Sequence, residues 1–387
     1  MSFVLFCNCA FADTDRCTSP TIIKSTHLTN PVDSKRSSSI EFKYRYIKGA
    51  DNYPVVIKIP GGPGGTAINN DPNPSFDPRV GWIQIDPRNT GCNSINLPIE
   101  FVTTQIEVYD ILQIIKDLKL NNYVLFGTSY GTVVATQLAV EAEKQKLPGS
   151  RMVILEGVLG RSFNDLEQEK SFAFFWNLYK QKISTTLLEE LKKESPFSIP
   201  SEAWGKYFSQ MLYLGTHPEY GDIGLMTFKM LEDPKTRSII LDQVKAKSID
   251  TDHLSQVFQS ISCSDLVENA GDVDFKNANM IPYIPANNVC KHTKLNKYDS
   301  AKFQISAPIV YFNGSNDPAT PIAQAKYHFL NQKSKTKTFV EVVNGGHSAL
   351  TVNLSDCYSL IMNSLILNTV PLRSAISTCK LTTNLTE

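Results

Sequence analysis

Residues 126–132 read FGTSYGT, with a serine between two glycines directly after a short apolar run. The segment 127–131 fits the pattern G-x-S-x-G, which predicts a sharp strand-to-helix turn that exposes the hydroxyl of Ser129. Such a match arises by chance in about one chain in ten of this length. The alternative is an ordinary loop of glycine and serine residues. The flanking sequence distinguishes the two interpretations.

The flanking sequence alternates strands and helices. A buried-type strand, YVLF (123–126), precedes the turn, and the run TVVATQLAVEAEKQK predicts a helix that stops at Pro148-Gly149. Another helix is predicted from a T-x-x-E capping box at Thr104 and Glu107. Further strands are predicted at 40–47, 55–59, 81–86, 152–155, 307–314 and 337–346. This rhythm predicts an α/β fold, a mostly parallel sheet with helices on both faces, whose ligands bind beyond the carboxyl ends of the strands.

The rhythm is interrupted after residue 160. Residues 161–303 are rich in aromatic and charged helix formers, as in SFAFFWNLYKQK, and the strand pattern resumes afterwards. We therefore expect a core formed by residues 13–160 and 304–387, with 161–303 inserted as a helical cap. The alternative is an independent second domain.

Overall charge and hydropathy indicate which kinds of partner the protein is not expected to bind. The chain of 387 residues carries 38 basic and 38 acidic residues, and its formal net charge is zero. No long run of one sign appears, so we expect no nucleic acid partner. No apolar stretch approaches the roughly 18 residues that a membrane-spanning helix needs, so we expect no membrane insertion. The oligomeric state is not readable from the sequence.

The first residues, MSFVLFCNCAFADTD, carry a short apolar run followed by AFA. This spacing of small residues predicts a signal peptide over residues 1–12, incomplete at its start because a positive n-region is missing. The alternative is a frayed apolar N-terminus. Export would make the protein secreted or periplasmic.

The chain has eight cysteines, of which cleavage would remove Cys7 and Cys9. An even number of cysteines in an exported chain favours disulfides. Their connectivity is not readable from sequence; our guesses are Cys263 with Cys290 and Cys357 with Cys379. None of the spacings is that of a zinc site.

A serine hydroxyl needs a base oriented by a carboxylate. Of the six histidines, only His347, in NGGHS, follows a predicted strand directly; the others are His27, His217, His253, His292 and His328. The carboxylate should precede the histidine in chain order, and Asp317, in NDPATP, lies at another strand end. NDP is also typical of an Asx turn, and the two interpretations are compatible. Glu156, at the end of the strand before, is the rival acid.

Acyl transfer also needs donors to the oxyanion. The N–H group of Tyr130, directly after the serine, is one candidate. PGGPGG follows the strand at 55–59 and offers the N–H of Gly61 or Gly62, since Pro63 has none. A phosphate-binding loop is excluded there because no G-K-[ST] follows.

Taken together, GGPGG, DPRNTGCN, GTSYG, NDPATP and NGGHS resemble the motifs of the α/β-hydrolase superfamily. More narrowly, they are similar to those of the proline iminopeptidase and tripeptidyl aminopeptidase group of serine exopeptidases, as is the C-terminal segment with a cysteine at each end. The resemblance covers residues 36–160 and 304–380, and within the cap only SCSD (262–265). It implies the α/β-hydrolase fold and a requirement for no cofactor and no metal.

The sequence departs from that group's pattern at three positions. Pro60 stands where a histidine is usual before the glycines, and Pro87 and Asn89 alter the D-Q-R-G element. These positions shape the oxyanion loop, so the departures concern substrate range more than chemistry.

The resemblance also implies that acids of the cap bind the free α-amine of a peptide substrate. No motif chooses among them, and each is otherwise a solvated charge. Glu156 and Asp265 are our candidates; the other acids available are Glu167, Glu169, Glu202, Glu219 and Asp222.

We therefore expect a serine hydrolase that cleaves short peptides from the N-terminus. Ser129 would attack, His347 would transfer the proton and Asp317 would orient the imidazole. The alternatives are a carboxylesterase on the same triad and a non-catalytic binding protein of this fold. Epoxide hydrolases and dehalogenases are disfavoured because they usually carry Asp at the nucleophile.

Overall fold

The structure is a computed structural model. It describes residues 16–31, 33, 35, 37–68, 76–162, 174, 176–193, 195–199, 201–247, 257, 258, 260–266 and 297–387. The predicted signal peptide lies outside these residues.

Eleven strands are described. They are β1 (Ile22–Leu28), β2 (Ser39–Ile47), β3 (Val55–Ile59), β4 (Gly81–Ile85), β5 (Tyr123–Thr128), β6 (Met152–Glu156), β7 (Thr216–His217), β8 (Gly221–Asp222), β9 (Ile309–Gly314), β10 (Lys337–Val342) and β11 (Thr383–Thr386). Nine of them form one sheet in the order β1-β2-β4-β3-β5-β6-β9-β10-β11. The six strands from β4 to β10 in this order run parallel, and β1, β2 and β11 are antiparallel additions at the two edges. The predicted strands are all present, whereas β1 and β11 were not predicted.

Nine α-helices are described. They are α1 (Thr104–Asp117), α2 (Gly131–Lys144), α3 (Thr185–Leu191), α4 (Ser201–Leu214), α5 (Ile223–Glu232), α6 (Pro234–Lys247), α7 (Ile322–Asn331), α8 (Tyr358–Leu367) and α9 (Leu372–Ile376). One face of the sheet packs against α1, α2 and α7, and the other packs against α8 and α9. Apolar side chains therefore fill a layer on each side of the sheet, which explains why its inner strands read as continuous apolar runs.

Helices α3 to α6 enclose an apolar cluster of their own. Trp204, Phe208 and Phe228 lie at its centre, fully buried. The short strands β7 and β8 form a hairpin between α4 and α5 that was not predicted. We refer to residues 161–303 as the cap, following the sequence-based prediction.

The start of α1 differs from the prediction. Thr103, and not Thr104, is the N-cap residue, and its side chain accepts a hydrogen bond from the Ile106 N–H. The capping-box interpretation of Thr104 and Glu107 was therefore wrong. Both side chains instead point into the protein interior. There Thr104 donates a hydrogen bond to Asp265, and Glu107 accepts one from Tyr130.

Two disulfides are described. Cys357 pairs with Cys379, as predicted. Cys17 pairs with Cys92, which was not predicted. Cys263 is also disulfide-bonded, but the predicted partner, Cys290, lies outside the described residues. Disulfides persist in oxidising compartments, so these bonds fit a non-cytoplasmic protein.

The N-terminal hairpin is attached to α1 by buried charges. Arg88 donates two hydrogen bonds to the Asp110 carboxylate, at 2.7 and 2.8 Å, and two more to the Leu28 and Thr29 carbonyls. His27 of β1 lies 2.8 Å from the same carboxylate.

None of the described helices is long and apolar enough to span a bilayer.

Candidate active site

Ser129 lies on the turn between β5 and α2. Its backbone is left-handed, with φ of +53°. A Cβ atom at Gly127 would collide with the Gly131 carbonyl, and one at Gly131 would collide with the Ile59 carbonyl. Both glycines are therefore required by close backbone packing, which is the reason the G-x-S-x-G pattern takes these residue types.

Asp317 and His347 follow β9 and β10, and the fold brings them together. The distance between His347 Nδ1 and Asp317 Oδ2 is 2.9 Å. Asp317 is 2% exposed, and its carboxylate also accepts from the Ala319 and Thr320 N–H groups and from the Thr320 hydroxyl. The Asx turn and the contact with the imidazole therefore coexist.

These contacts assign the protons of the His347 ring. A carboxylate is an acceptor only, so Nδ1 is the nitrogen that carries the proton and Nε2 carries the lone pair. Burial lowers the pKa of His347, but the charge and hydrogen bond of Asp317, with a smaller contribution from the charge of Glu156, outweigh it and raise the pKa above its usual value. An imidazole in this state can take a proton at Nε2, and the resulting imidazolium is stabilised.

Ser129 and His347 lie on either side of the dipeptide Glu156-Gly157. The Ser129 N–H donates to the Glu156 carbonyl at 2.8 Å. A Cβ atom at Gly157 would lie 2.9 Å from the imidazole. The turn that carries Ser129 and the loop after β10 that carries His347, the histidine loop, are thus adjacent at the carboxyl edge of the sheet.

The glycine loop after β3 lies against Ser129. A Cβ atom at Gly61 would lie 2.8 Å from Ser129 Cβ, so only glycine allows this approach. Gly62 has φ of +117° and precedes a cis bond to Pro63. Within the described residues, no acceptor is found for the N–H groups of Gly61, Gly62 and Tyr130. An oxyanion beside Ser129 could therefore accept from Tyr130 and from either glycine.

The element D-P-R-N (86–89) supports the chain on either side of it through hydrogen bonds of Asp86 and Asn89. Asp86 accepts hydrogen bonds from the N–H groups of Ala67 and Ile68, at 2.8 and 3.0 Å, and so fixes the chain that follows the glycine loop. Asn89 takes φ of +59°, a conformation that asparagine tolerates better than most other residues with a side chain. Its side chain pairs with both backbone groups of Leu97.

A buried polar cluster lies beneath Tyr130. The Tyr130 hydroxyl is 3.0 Å from Glu107 Oε2 and 3.1 Å from Thr104 Oγ1, and Thr104 donates in turn to Asp265. Burial raises the pKa of Glu107 to about 8, although the hydrogen bond from Tyr130 opposes the shift. Glu107 is therefore protonated at neutral pH. Through Asp265, this cluster joins the cap to the helix that follows Ser129.

The acids predicted to bind a substrate amine are dispersed. Glu156 and Asp265 are both buried and hydrogen-bonded inside the protein. Asp222 caps α5 and accepts from the Tyr179 hydroxyl, whereas Glu219 is exposed. The side chain of Glu202 and the residues Glu167 and Glu169 are not among those described. The amine-binding role of Glu156 and Asp265 stays a prediction without support from their surroundings.

The cap contacts the histidine loop directly. The His347 N–H donates to the Tyr213 carbonyl at 2.6 Å, and the Tyr213 ring lies 5.7 Å from the imidazole. Gly215 and Gly345 form an isolated antiparallel bridge. Tyr213 was missed by the sequence analysis, since nothing in its helical context marks it.

Asn353 consolidates this contact. Its Oδ1 accepts from the Gly346 N–H at 2.8 Å, and its Nδ2 donates to the Leu214 and Thr216 carbonyls at 2.7 and 2.8 Å. The side chain is fully buried and every one of these contacts is to backbone. No local sequence pattern could have indicated this residue.

No group of three or more His, Cys, Asp or Glu residues that could hold a metal ion occurs in the described part of the chain. Another buried histidine, His328 of α7, lies between Thr136 and Tyr311, each 3.0 Å away. Its position is structural.

No protein-family model and no curated protein matches the chain. Solved structures match it over most of its length. The Mycobacterium tuberculosis protein Rv0554 superposes with a TM-score of 0.53 at 14% identity, over 90% of this chain and 99% of that one. A serine hydrolase from the bacterium Cycloclasticus zankles gives 0.51 at 12% identity, over the same shares of the two chains. With the sheet order of this chain, these likenesses confirm the predicted α/β-hydrolase fold.

Proposed function

We propose that this protein is a serine hydrolase in which Ser129, His347 and Asp317 carry out acyl transfer. The observation that carries the proposal is the 2.9 Å contact between His347 Nδ1 and Asp317 Oδ2, at strand ends beside the left-handed turn of Ser129. The three residues are distant in sequence, and each follows a strand of the parallel sheet, which supports the proposal. The likeness to solved structures supports the fold on which the proposal rests.

The reaction would proceed in two steps. His347 Nε2 takes the proton of the Ser129 hydroxyl as its oxygen attacks the substrate carbonyl, and the imidazolium then protonates the leaving group. The N–H groups of Tyr130 and of Gly61 or Gly62 would stabilise the oxyanion. His347 then deprotonates a water that attacks the acyl carbonyl, and the imidazolium returns the proton to the Ser129 oxygen as the acid is released. No step needs a metal or an organic cofactor.

The substrate class that we propose is the short peptide cleaved from its N-terminus. Its support is the combination of glycine loop, D-P-R-N element, serine turn and late G-H with the C-terminal disulfide Cys357–Cys379. A cap over the carboxyl edge suits small or unfolded substrates. The disulfides support a further proposal, that the chain is exported and acts outside the cytoplasm.

A carboxylesterase is the second candidate. The buried, hydrogen-bonded state of Glu156 and Asp265 favours it, because an ester substrate requires no acid to hold an α-amine.

The test has two parts. A fluorophosphonate should label Ser129 in the wild-type protein, and the Ser129→Ala variant should stay unlabelled. Labelling at another residue would contradict the mechanism. Aminoacyl and tripeptidyl amides with free and acetylated N-termini, together with esters of the acetylated forms, then separate the classes. Selective hydrolysis of the free amides supports the exopeptidase, and indifference to acetylation contradicts it. Hydrolysis of the acetylated esters without the acetylated amides supports the esterase.

A further inference from the structure

Glu156, the last residue of β6, contacts the segments that carry the proposed triad. Its backbone carbonyl accepts from the Ser129 N–H at 2.8 Å. The next residue, Gly157, has φ of +60° and packs directly against the His347 ring. The Gly157 N–H donates to the Phe312 carbonyl of β9, the strand that leads to Asp317.

The carboxylate of Glu156 holds the turn that follows the histidine. Its Oε1 accepts from the Leu350 N–H at 2.9 Å, from the Thr351 N–H at 2.8 Å and from the Thr351 hydroxyl at 2.9 Å. These donors belong to the helical turn Ala349–Asn353, which begins two residues after His347. Removal of the carboxylate would leave the Leu350 N–H buried without an acceptor.

This geometry differs from both roles predicted for Glu156. The imidazole Nδ1 is held by Asp317, so Glu156 is not the acid that orients the ring. Glu156 is 2% exposed and its Oε1 is occupied by three donors, which does not suit an amine-binding group. Its surroundings instead match a residue that acts on catalysis through its neighbours.

We infer that Glu156 is a positioning residue, which keeps the His347 loop aligned with Ser129 and supplies a second negative charge to the imidazole. The inference rests on the proposed function of Ser129 as nucleophile and deepens it. Asp317 would fix the ring, while Glu156 would fix the loop from which the ring projects.

Few charged or titratable groups surround His347 and Glu156 among the described residues. His347 is faced by Asp317 and Glu156 and, from the cap, by Tyr213. Glu156 is faced by Lys58 of β3 and Tyr358 of α8. Burial lowers the pKa of Lys58 to about 8, with the charge of Glu156 opposing the shift. The charge of Glu156 adds to that of Asp317 in raising the pKa of His347 and so favours the imidazolium.

The test measures the rate at which a fluorophosphonate labels Ser129, as a function of pH. Labelling requires neutral His347, so the acid-side midpoint reports the pKa of the imidazole. Glu156→Gln keeps an acceptor oxygen but removes the charge. We expect its midpoint to move to lower pH by about half a unit or more. Glu341→Gln, on β10 and paired with Lys326 at the surface, is the matched control and should keep the wild-type midpoint.

A second variant tests the anchoring. Glu156→Ala removes the acceptor of three hydrogen bonds, and we expect labelling at the optimal pH to slow by about tenfold or more. A merely structural role would lower thermal stability without moving the midpoint of Glu156→Gln. An unchanged midpoint in that variant would overturn the inference, as would a folded Glu156→Ala protein with wild-type labelling. If Glu156→Ala does not fold, the midpoint of Glu156→Gln decides. Wild-type protein that is not labelled at Ser129 would instead overturn the proposed function.

Discussion

At the scale of single residues, the backbone conformation of Ser129 costs stability but fixes the position of the Ser129 hydroxyl. A left-handed backbone brings Cβ close to the following carbonyl oxygen and costs a residue other than glycine about 1–2 kcal/mol. Ser129 adopts this conformation with φ of +53°. The cost is offset by the surrounding close packing, and the hydroxyl is thereby held at the edge of the sheet.

Two variants at this position separate strain from chemistry. Ser129→Gly removes both the hydroxyl and the left-handed strain, whereas Ser129→Ala removes only the hydroxyl. We expect both variants to lose hydrolytic activity. The free energy of unfolding should be about 1 kcal/mol higher for Ser129→Gly than for Ser129→Ala. Urea denaturation measures the difference. A more stable alanine variant would show that the turn is not strained at this residue.

Glu107 predicts a pH dependence of stability. Its pKa is raised to about 8 in the folded protein, so the folded state binds a proton that the unfolded chain releases near the ordinary value of 4.5. Stability is therefore fully present below that value and falls as pH rises toward 8, by up to about 1.4 kcal/mol per unit. Glu107→Gln mimics the protonated form. We expect it to resemble wild type at pH 5 and to exceed it in stability at pH 9.

The control for Glu107 is Glu189→Gln, an exposed residue of α3 paired with Lys192. Its unfolding free energy should follow the wild-type curve across the same pH range. Parallel curves for Glu107→Gln and wild type would show that Glu107 is already ionised at neutral pH.

At the scale of secondary-structure elements, the arrangement depends on the loops at the carboxyl ends of the strands. The nucleophile turn comes after β5, Asp317 after β9 and His347 after β10, while Glu156 ends β6. Because these strands are parallel, their carboxyl ends share one edge and the polar side chains gather there. Asn353 extends the arrangement to the cap by joining the His347 loop to β7.

Asn353→Ala should weaken the attachment of the His347 loop to the cap. It removes the acceptor of the Gly346 N–H and two donors to cap carbonyls, leaving buried polar groups unpaired at about 1–3 kcal/mol each. We expect lower thermal stability together with at least a severalfold lower kcat. Asn384→Ala, at an exposed position of β11, is the control and should behave as wild type. Unchanged kcat in a destabilised Asn353→Ala protein would limit the residue to folding.

At the scale of the whole molecule, much of the fold was predictable and its long-range polar contacts were not. The inner strands are buried on both faces, so each leaves an apolar run in the sequence. The edge strand β1 reads IIKSTHL and β11 reads TNLT, and solvated edges like these carry no such run. The loops of Ser129, Asp317 and His347 were predictable because each follows an inner strand. The contacts of Glu107 with Tyr130, and of Asn353 with Leu214 and Thr216, were not, because these partners are distant in the chain.

The two described disulfides should stabilise the molecule to different extents. Cys17–Cys92 spans 75 residues and Cys357–Cys379 spans 22. In the chain-entropy account, the longer loop restricts the unfolded chain more, by about 1 kcal/mol. We expect the double variant Cys17→Ser/Cys92→Ser to lose that much more unfolding free energy than Cys357→Ser/Cys379→Ser. Equal losses in denaturant would show that native contacts, and not loop length, decide.

The docking of the cap on the loop that carries His347 couples the positions of the two segments. Four hydrogen bonds join the two: His347 to Tyr213, Thr216 to Asn344, and two from Asn353. Lifting the cap at this end would break them all and displace the loop that carries His347. A movement of the cap that leaves His347 in place must therefore preserve these four bonds.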